Sequence, residues 1–445
     1  MTEYKTSDHF TVKKLAAFTL MPIITILLCS FYSIVDGFFV SHFCRETAFA
    51  GMNLAAPFAL IFASFGYMIG EGGCALISKM LGEKCEEEAN KLFSFLVAFS
   101  IVLGIALAAI GFIILNPFLY FQGAEGELFN QARTYGLILI IGFPACLLQF
   151  SFQQYFVAAD KPELGILFAL SAGFLNIALD AVFICGFSMG VAGAAIGTVI
   201  GQAAGALIPV IYILRHSEFK LRFVGFECKK EWNNLLKVCL NGSSEMVSNI
   251  AAQVVCILYN FVLLRLAGEN GVSAYGVILY VSMVFSCVFM GYDMGVIPVI
   301  AYNFGAQNHE ELKNVRLVSH KLIMAYSVIM AALCFILAEP VSRMFVGYNE
   351  EILSMSVTGL RIFAIGYIVI GQNFFGSALF TGLNNGGVSA FLSAIRTFLL
   401  PIMFLFAFSY VWGLAGVWYS LPAAEITAFL VSVITILKYR KKYKM

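Results

Sequence analysis

Charged residues are scarce in this 445-residue chain, where Asp, Glu, Lys and Arg together make up 12% of the sequence. A soluble domain carries about 25% charged residues, so this chain has too little polar surface to cover a globule in water. The shortage excludes a cytosolic enzyme, a secreted domain and a disordered scaffold. The formal net charge of +1 is uninformative as a total, because the distribution of charge along the chain carries the information.

Motifs for catalysis and metal binding are also missing. The sequence has no CxxC pair and its 11 cysteines stand singly, so neither a zinc site nor a disulfide framework is indicated. HExxH and paired catalytic Asp motifs are absent, as is the GxxxxGK[ST] phosphate-binding loop. These absences argue against an intramembrane enzyme and against transport driven by ATP hydrolysis in this chain. We expect no nucleic-acid partner.

Long apolar runs dominate the sequence instead. A helix needs about 20 mostly apolar residues to cross the hydrocarbon core. Segments of that length begin near residues 14, 52, 91, 131, 163, 190, 237, 272, 315, 353, 387 and 414. The sequence therefore predicts an all-α integral membrane protein with twelve transmembrane helices. The first run exceeds the length of a signal-peptide core and carries Asp36, so we expect it to be a span rather than a cleaved signal.

The 27 Lys and Arg residues are distributed unevenly about these spans. Most lie near the chain ends or in the loops on the same side. Only Arg45, Arg133, Arg265 and Arg343 fall on the opposite side, and Arg361 and Arg396 fall inside predicted spans. Because Lys and Arg concentrate in cytoplasmic loops, we expect a multi-pass protein of the cell membrane with both termini in the cytoplasm.

The sequence repeats itself at an offset of 223 residues, which aligns Lys14 with Lys237. The same offset aligns Gly82 with Gly305, Glu87 with Glu310, Pro117 with Pro340 and Gly190 with Gly413. Each copy holds six predicted spans, so the copies enter the membrane from the same face as two parallel-repeat six-helix bundles. The predicted divisions are a cytoplasmic segment at 1–13, a first lobe at 14–214, a basic cytoplasmic linker at 215–236, a second lobe at 237–437 and a basic tail at 438–445.

Two such bundles can rock against each other around a site near the membrane midplane, which favours a transporter over a duplicated scaffold. Six carboxylates fall inside the predicted spans, and each would cost about 2.5–3.5 kcal/mol at the centre of a lipid-facing helix. They must therefore face water, partners or one another. The six are Asp36, Glu71, Asp180, Glu245, Asp293 and Glu425.

Asp36 and Asp180 lie at a similar depth in the outer half of the first lobe. Asn176 precedes Asp180 by one helical turn, and Thr198 and Tyr135 can reach the same region. This set of oxygens is a candidate site for a proton or Na⁺. A hydrogen bond between helices is the alternative role for the two carboxylates.

The second lobe carries Glu245, Arg396 and Glu425 inside its spans. They predict an ion pair between Arg396 and a carboxylate, which either binds substrate or braces the bundle. For Glu71 and Asp293, which lie beside glycines toward the cytoplasmic ends, a structural role is favoured. Arg361 is expected to be structural or to snorkel outward.

Four stretches resemble the multidrug and toxic compound extrusion (MATE) family: SIVDGFFV in span 1, NIALD in span 5, GVAGAAIGTVIGQ in span 6 and GVIPVIAYNFGAQN at the end of span 8. The likeness covers nearly the whole chain and is greatest to the prokaryotic MepA-like and DinF-like branches. It implies a V-shaped pair of lobes. It also implies export of amphipathic, often cationic compounds driven by inward flow of Na⁺ or H⁺.

The resemblance further implies a coupling site in the first lobe, built from Asp36, Asn176, Asp180 and Thr198, with Tyr135 as an added member. The same four oxygen-bearing residues would hold Na⁺. Other branches place a cation site in the second lobe, with a span 7 Glu that corresponds to Glu245 and an Asp in span 10. Span 10 holds no Asp or Glu here, which favours coupling through the first lobe.

The sequence thus predicts a secondary active antiporter, in which the lobes alternate and substrate competes with the ion. The expected partners are small amphipathic substrates and membrane lipids. No cofactor is expected beyond the coupling ion, and the protein is expected to be a monomer. A flippase for lipid-linked precursors, from the same wider superfamily, is the second hypothesis, and a channel is the third. The sequence leaves open the substrate and the choice between H⁺ and Na⁺.

Overall fold

The computed structural model describes residues 5–43, 46–216 and 219–444, without the side chains of residues 32–39, 41, 42, 46, 47 and 49. Every regular element in this part of the chain is a helix. The first half contains α1 (Val12–Phe43), α2 (Glu46–Gly82), α3 (Glu86–Phe121), α4 (Gly126–Ile141), α5 (Phe143–Ala158), α6 (Pro162–Asp180) and α7 (Gly190–Arg215).

Two interruptions shape the spans of the first half. Helices α4 and α5 meet at 60° and together form one bent span. The bend falls at Gly142, just before Pro144, whose ring removes one backbone donor from the helix. A π-helical segment, Ala181–Gly186, continues α6 directly after Asp180.

The second half contains α8 (Cys228–Gly305), α9 (His309–Val346), α10 (Glu350–Gly382), α11 (Gly386–Ala394), α12 (Leu400–Trp412) and α13 (Leu414–Arg440). A π-helical segment, Ile395–Leu399, joins α11 and α12 into one span. Helix α8 is 78 residues long and breaks at Gly268, where φ is 59°. Its two parts, residues 228–267 and 269–305, are called the first and second arms of α8.

The described helices account for twelve spans. Ten helical segments are individually long and apolar enough to cross a membrane, and the bent α4–α5 pair adds another. One of the ten is α8, whose two arms make it cross twice. The predicted fold class, an all-α membrane protein with twelve spans, is therefore confirmed. The predicted linker at 215–236 includes the first turns of α8, and the exact lobe boundaries stay predictions.

The internal repeat is visible in the backbone. Gly190 and Gly413, which are equivalent at the offset of 223, have φ values of 58° and 57° and begin the last span of each lobe. Glycine adopts this left-handed conformation without the steric cost that a Cβ imposes. Lys84 and Gln307, a second equivalent pair, also have positive φ values of 63° and 54°. The two copies therefore preserve turn geometry as well as helix order.

The lobes contact each other at the end of the bundle that carries residues 5–11, 219–227 and 441–444, here called the linker end. A Cβ on Gly82 would lie 2.0 Å from the carbonyl oxygen of Tyr302, and one on Gly305 would lie 2.1 Å from that of Lys79. Because Lys79 and Tyr302 are also equivalent in the repeat, the contact is reciprocal. Because Gly82 and Gly305 carry no side chain, the backbones of α2 and α8 can lie in direct contact.

A second tie at the linker end is residues 5–11, here called the N-terminal strap. Thr6 donates its backbone N–H to Asp160 Oδ1 of the first lobe at 2.7 Å. Phe10 donates its backbone N–H to Glu311 Oε1 of α9 at 2.9 Å, and His9 Nδ1 lies 2.5 Å from Glu311 Oε2. The strap therefore connects both lobes. Phe10 is fully buried, so the strap also packs as part of the core.

Candidate functional site

The first-lobe site lies between α6 and α7. Asn176 and Asp180 lie one turn apart on α6, and both are buried. Asn176 Nδ2 donates to Thr198 Oγ1 on α7 at 3.5 Å. A Cβ on Gly197 would lie 2.5 Å from Asp180 Oδ1, so glycine at this position lets α7 approach the carboxylate. The structure thus brings together three of the residues predicted from the sequence.

Tyr135 lies in the same lobe, toward the end that is opposite the linker end. It is buried on α4 in a cluster that includes Val40 of α1, Ile184 and Ala194. Ala194 precedes Thr198 by one turn of α7, so the Tyr135 cluster covers the site on the side away from the linker end. Asp36 lies one turn before Val40 on α1, and its side chain lies outside the described residues.

The π-helical segment Ala181–Gly186 begins immediately after Asp180. Such segments widen a helix by one residue and are frequent at functional sites. Here the wider turn shifts the hydrogen-bonding pattern, with Phe187 N–H donating to the carbonyl of Val182 at 2.9 Å. The site therefore combines a carboxylate, an amide and a hydroxyl with an irregular stretch of helix. Oxygen ligands of this kind suit a proton or a hard cation.

The second-lobe site contains a buried ion pair. Arg396 Nε lies 3.2 Å from both carboxylate oxygens of Glu425. Asn373 Nδ2 donates to Glu425 Oε2 at 2.6 Å, and the Arg396 guanidinium carbon lies 3.7 Å from the centre of the Phe374 ring. Arg396 itself lies on the π-helical segment of this lobe. The Glu425 carboxylate therefore contacts a guanidinium and an amide, and the Arg396 guanidinium contacts a carboxylate and an aromatic ring.

Three further carboxylates lie near one another where the lobes meet. Glu71 of α2 is close enough to Glu245 and Asp293 of α8 for their charges to interact, and Arg396 acts on both α8 carboxylates. Glu245 Oε1 accepts from Asn249 Nδ2 at 3.0 Å. Asp293 Oδ1 is buried and accepts no hydrogen bond within the described part of the chain. These residues form one charged group across both lobes.

The sequence alone does not group Glu71 and Asp293 with Glu245, and it does not select Asn373 or Phe374. The sequence feature that links Glu71 with Asp293 is that they occupy neighbouring positions of the two repeats. For Asn373, the signal was an amide in the middle of an apolar span. Arg361 is exposed on the helix surface, 5.5 Å from the Phe335 ring.

Two six-span lobes of one repeat, in contact at one end and carrying buried ionisable groups between their helices, are the architecture of a membrane transporter. The family model named MatE matches residues 22–182 and 246–407. The chain belongs to the MatE family, and it is a transporter rather than an enzyme. The two matched segments lie one in each half, as the repeat requires.

Relatives and solved structures agree with this assignment. The chain is 27% identical over 426 residues to "Multidrug export protein MepA" of Staphylococcus haemolyticus (strain JCSC1435), covering 95% of this chain and 92% of the relative. It has a TM-score of 0.91 to a crystal structure of MATE in complex with MaL6, at 20% identity and 98% coverage of both chains. It has a TM-score of 0.90 to an outward-facing multidrug resistance MATE transporter of the MOP superfamily, at 20% identity, covering 98% of this chain and 97% of the other.

Proposed function

We propose that this protein exports amphipathic, cationic organic compounds across the cell membrane in exchange for H⁺ or Na⁺. The proposal also places both termini in the cytoplasm, where the basic loops concentrate. A relative that aligns with 95% of the chain is named as a multidrug export protein, which supports small-molecule export. The observation that carries the exchange mechanism is the buried first-lobe site, where Asp180 lies beside Asn176 and Thr198 inside a membrane span.

Exchange requires that the ion and the substrate stabilise different states of the same protein. With the lobes in contact at the linker end, the opposite end is the one from which the ion enters. We propose that the ion binds at Asp180 together with Asp36, and neutralises the charge that holds a cationic substrate. The substrate then leaves, and the lobes rock to open the linker end. Because coupling between two ligands is reciprocal, bound substrate must also weaken ion binding.

The second-lobe residues have a different part in this proposal. The Arg396–Glu425 pair is internally neutral, so it braces α11, α12 and α13 rather than binding a free cation. Glu71, Glu245 and Asp293 add three carboxylates where the lobes meet, and the Arg396 that acts on two of them is already paired with Glu425. They therefore offer charge complementarity to a cationic substrate near the point where the lobes meet.

The first test is transport in proteoliposomes with the pH gradient and the Na⁺ gradient imposed separately. Substrate-stimulated flux under one gradient alone identifies the coupling ion. The variant D180N is expected to lose at least 90% of ion-driven export, because an amide cannot gain and lose a proton or supply a full negative charge to Na⁺. E127Q, which alters an exposed carboxylate on α4, is the matched control and should retain export.

D36N is expected to behave as D180N does, because both carboxylates belong to the proposed site. Full ion-driven export by either variant would contradict the assignment of the site. Downhill flux that never becomes uphill under an ion gradient would instead indicate a channel. Transport of a lipid-linked precursor without an ion gradient would favour the flippase hypothesis.

A further inference from the structure

The linker end holds a carboxylate that takes no part in the proposed exchange mechanism. Asp160 lies in the loop between α5 and α6, and its side chain is 13% exposed. Its Oδ1 accepts the backbone N–H of Thr6, in the N-terminal strap, at 2.7 Å. Its Oδ2 accepts from Lys220 Nζ, in the linker, also at 2.7 Å. Both oxygens of one first-lobe carboxylate therefore bind segments that lead to the second lobe.

Both partners of Asp160 contact the second lobe at neighbouring residues of α8. The carbonyl oxygen of Thr6 accepts from Asn303 Nδ2 at 3.2 Å, and Thr6 is buried. The ammonium group of Lys220 lies 5.5 Å from the centre of the Tyr302 ring, within the range of a cation–π interaction. Asp160, Thr6, Asn303, Tyr302 and Lys220 thus form a closed ring of contacts across the lobe boundary, here called the linker-end latch.

The N-terminal strap is held firmly by the second lobe. Phe10 is fully buried in a core cluster that includes Leu312 of α9. Its carbonyl oxygen accepts from Asn314 Nδ2 at 2.9 Å, and its N–H is bound by Glu311. Toward the first lobe, the strap donates the hydrogen bond from Thr6 to Asp160. When the lobes separate, the strap therefore stays with the second lobe, and the contact at Asp160 breaks.

The linker, in contrast, is fixed to the first lobe. Phe219 is buried in a core cluster of that lobe. Arg222 donates its backbone N–H to Asn90 Oδ1 of α3 at 2.6 Å. Lys220 therefore stays with the first lobe when the lobes separate, and its contact with the Tyr302 ring breaks. Opening of the latch thus breaks one hydrogen bond to a carboxylate and one cation–π contact.

We propose that the linker-end latch keeps the linker end closed, and that release of Thr6 by Asp160 is the step that opens it. This inference rests on the proposed alternation of the two lobes. Hydrogen bonds to a charged group are stronger than neutral ones, so the latch favours the closed state. After release, Asp160 keeps Lys220 as its partner, and no unpaired charge is left behind. The latch can therefore open and close in every transport cycle.

The test uses two substitutions that fit the backbone at Asp160, where φ is 62°. Glycine and asparagine both adopt this conformation at little steric cost. D160G removes both hydrogen bonds of the carboxylate, whereas D160N keeps an oxygen for Thr6 but loses the charge that binds Lys220. The control is E163Q, which alters an exposed carboxylate in the first turn of α6. Hydrogen–deuterium exchange is read at single amides of the full-length protein in detergent.

In D160G, exchange of the Thr6 amide and of residues 76–82 and 299–305 is expected to rise about tenfold, which corresponds to the loss of a hydrogen bond to a charged group. D160N should show a smaller rise, and E163Q should match the wild type. The Phe10 amide should exchange at the wild-type rate in D160G, because the strap stays with the second lobe. Wild-type exchange at residues 76–82 and 299–305 in D160G would overturn the latch.

Two further outcomes are informative. Equally fast exchange at Thr6 and Phe10 in D160G would overturn Asp160 as the point of release. A rise of the same size in α12, whose residues take no part in the latch, would show general unfolding and would also overturn the proposal. The result is independent of the coupling ion. Loss of ion-driven export by the wild type under both gradients would contradict the proposed function, but it would leave the difference between D160G and E163Q intact.

Discussion

The two lobes share one repeat but carry different chemistry inside it. At the offset of 223, Asn176, Asp180 and Thr198 of the first lobe correspond to Leu399, Met403 and Leu421 of the second. Conversely, Asn373, Arg396 and Glu425 correspond to Phe150, Gly173 and Gln202. Apart from Gln202, the residues that are equivalent to each polar site in the other lobe are therefore apolar. The repeat preserves the helices and their turns, and the ionisable groups differ.

The difference lies in how the buried carboxylate is surrounded. Asp180 lies one turn from Asn176 on α6 and against Gly197 of α7. Glu425 is bonded to a guanidinium, so its charge is compensated within the protein. A carboxylate that already has a fixed counter-charge gains little from an external cation. This comparison is the reason for proposing an exchangeable ion in the first lobe and a permanent pair in the second.

The largest expected effect tests the permanent pair. E425Q is expected to lower the free energy of unfolding by about 3 kcal/mol, because it leaves the buried Arg396 charge without its partner. The double variant R396M/E425L should recover most of this loss, since well-packed apolar residues replace a buried pair at little cost. D180N should unfold close to the wild-type temperature. Thermal unfolding in one detergent checks all three, and an equal loss in D180N and E425Q would erase the distinction between the lobes.

A smaller effect is expected where the lobes are alike. G82A and G305A should each disfavour contact at the linker end by about 2 kcal/mol, because a methyl group has no room against the facing carbonyl. Hydrogen–deuterium exchange in residues 76–82 and 299–305 should rise in both variants to a similar degree. G276A is the control, because a Cβ there meets nothing within 4 Å. A rise in only one variant would show that the reciprocal contact is not energetically symmetric.

The smallest effect is expected at the N-terminal strap. In the described part of the chain, the repeat does not supply a second strap of this kind. E311Q removes the charge that binds the Phe10 N–H and His9, so it should weaken the strap by about 1 kcal/mol. Faster hydrogen exchange in residues 5–11 is the expected signature. E310Q, its exposed neighbour, should leave exchange unchanged. If both variants behave alike, the strap does not depend on the buried carboxylate.

Much of the architecture could be predicted because it depends on local properties of the sequence. The start of each predicted span lies within a helix or close to its first residue, and the break in α8 at Gly268 falls between spans predicted from residues 237 and 272. The proximity of Asn176 to Thr198 could also be predicted from the sequence. Asn176 lies one turn from Asp180, and Thr198 lies in the next span, so few arrangements are possible. The grouping of Glu71 with Glu245 and Asp293 was not accessible. It depends on how the lobes dock.

The sequence by itself determined the number of spans, the repeat and the family, because hydrophobic length and residue order along the chain encode all three. Only the tertiary structure decided which buried charges meet. Glu425 contacts Arg396 because α13 presents that face to the π-helical segment before α12. Hydropathy sets the depth of a residue in the membrane, whereas the rotation of each helix and the docking of the lobes set its partners.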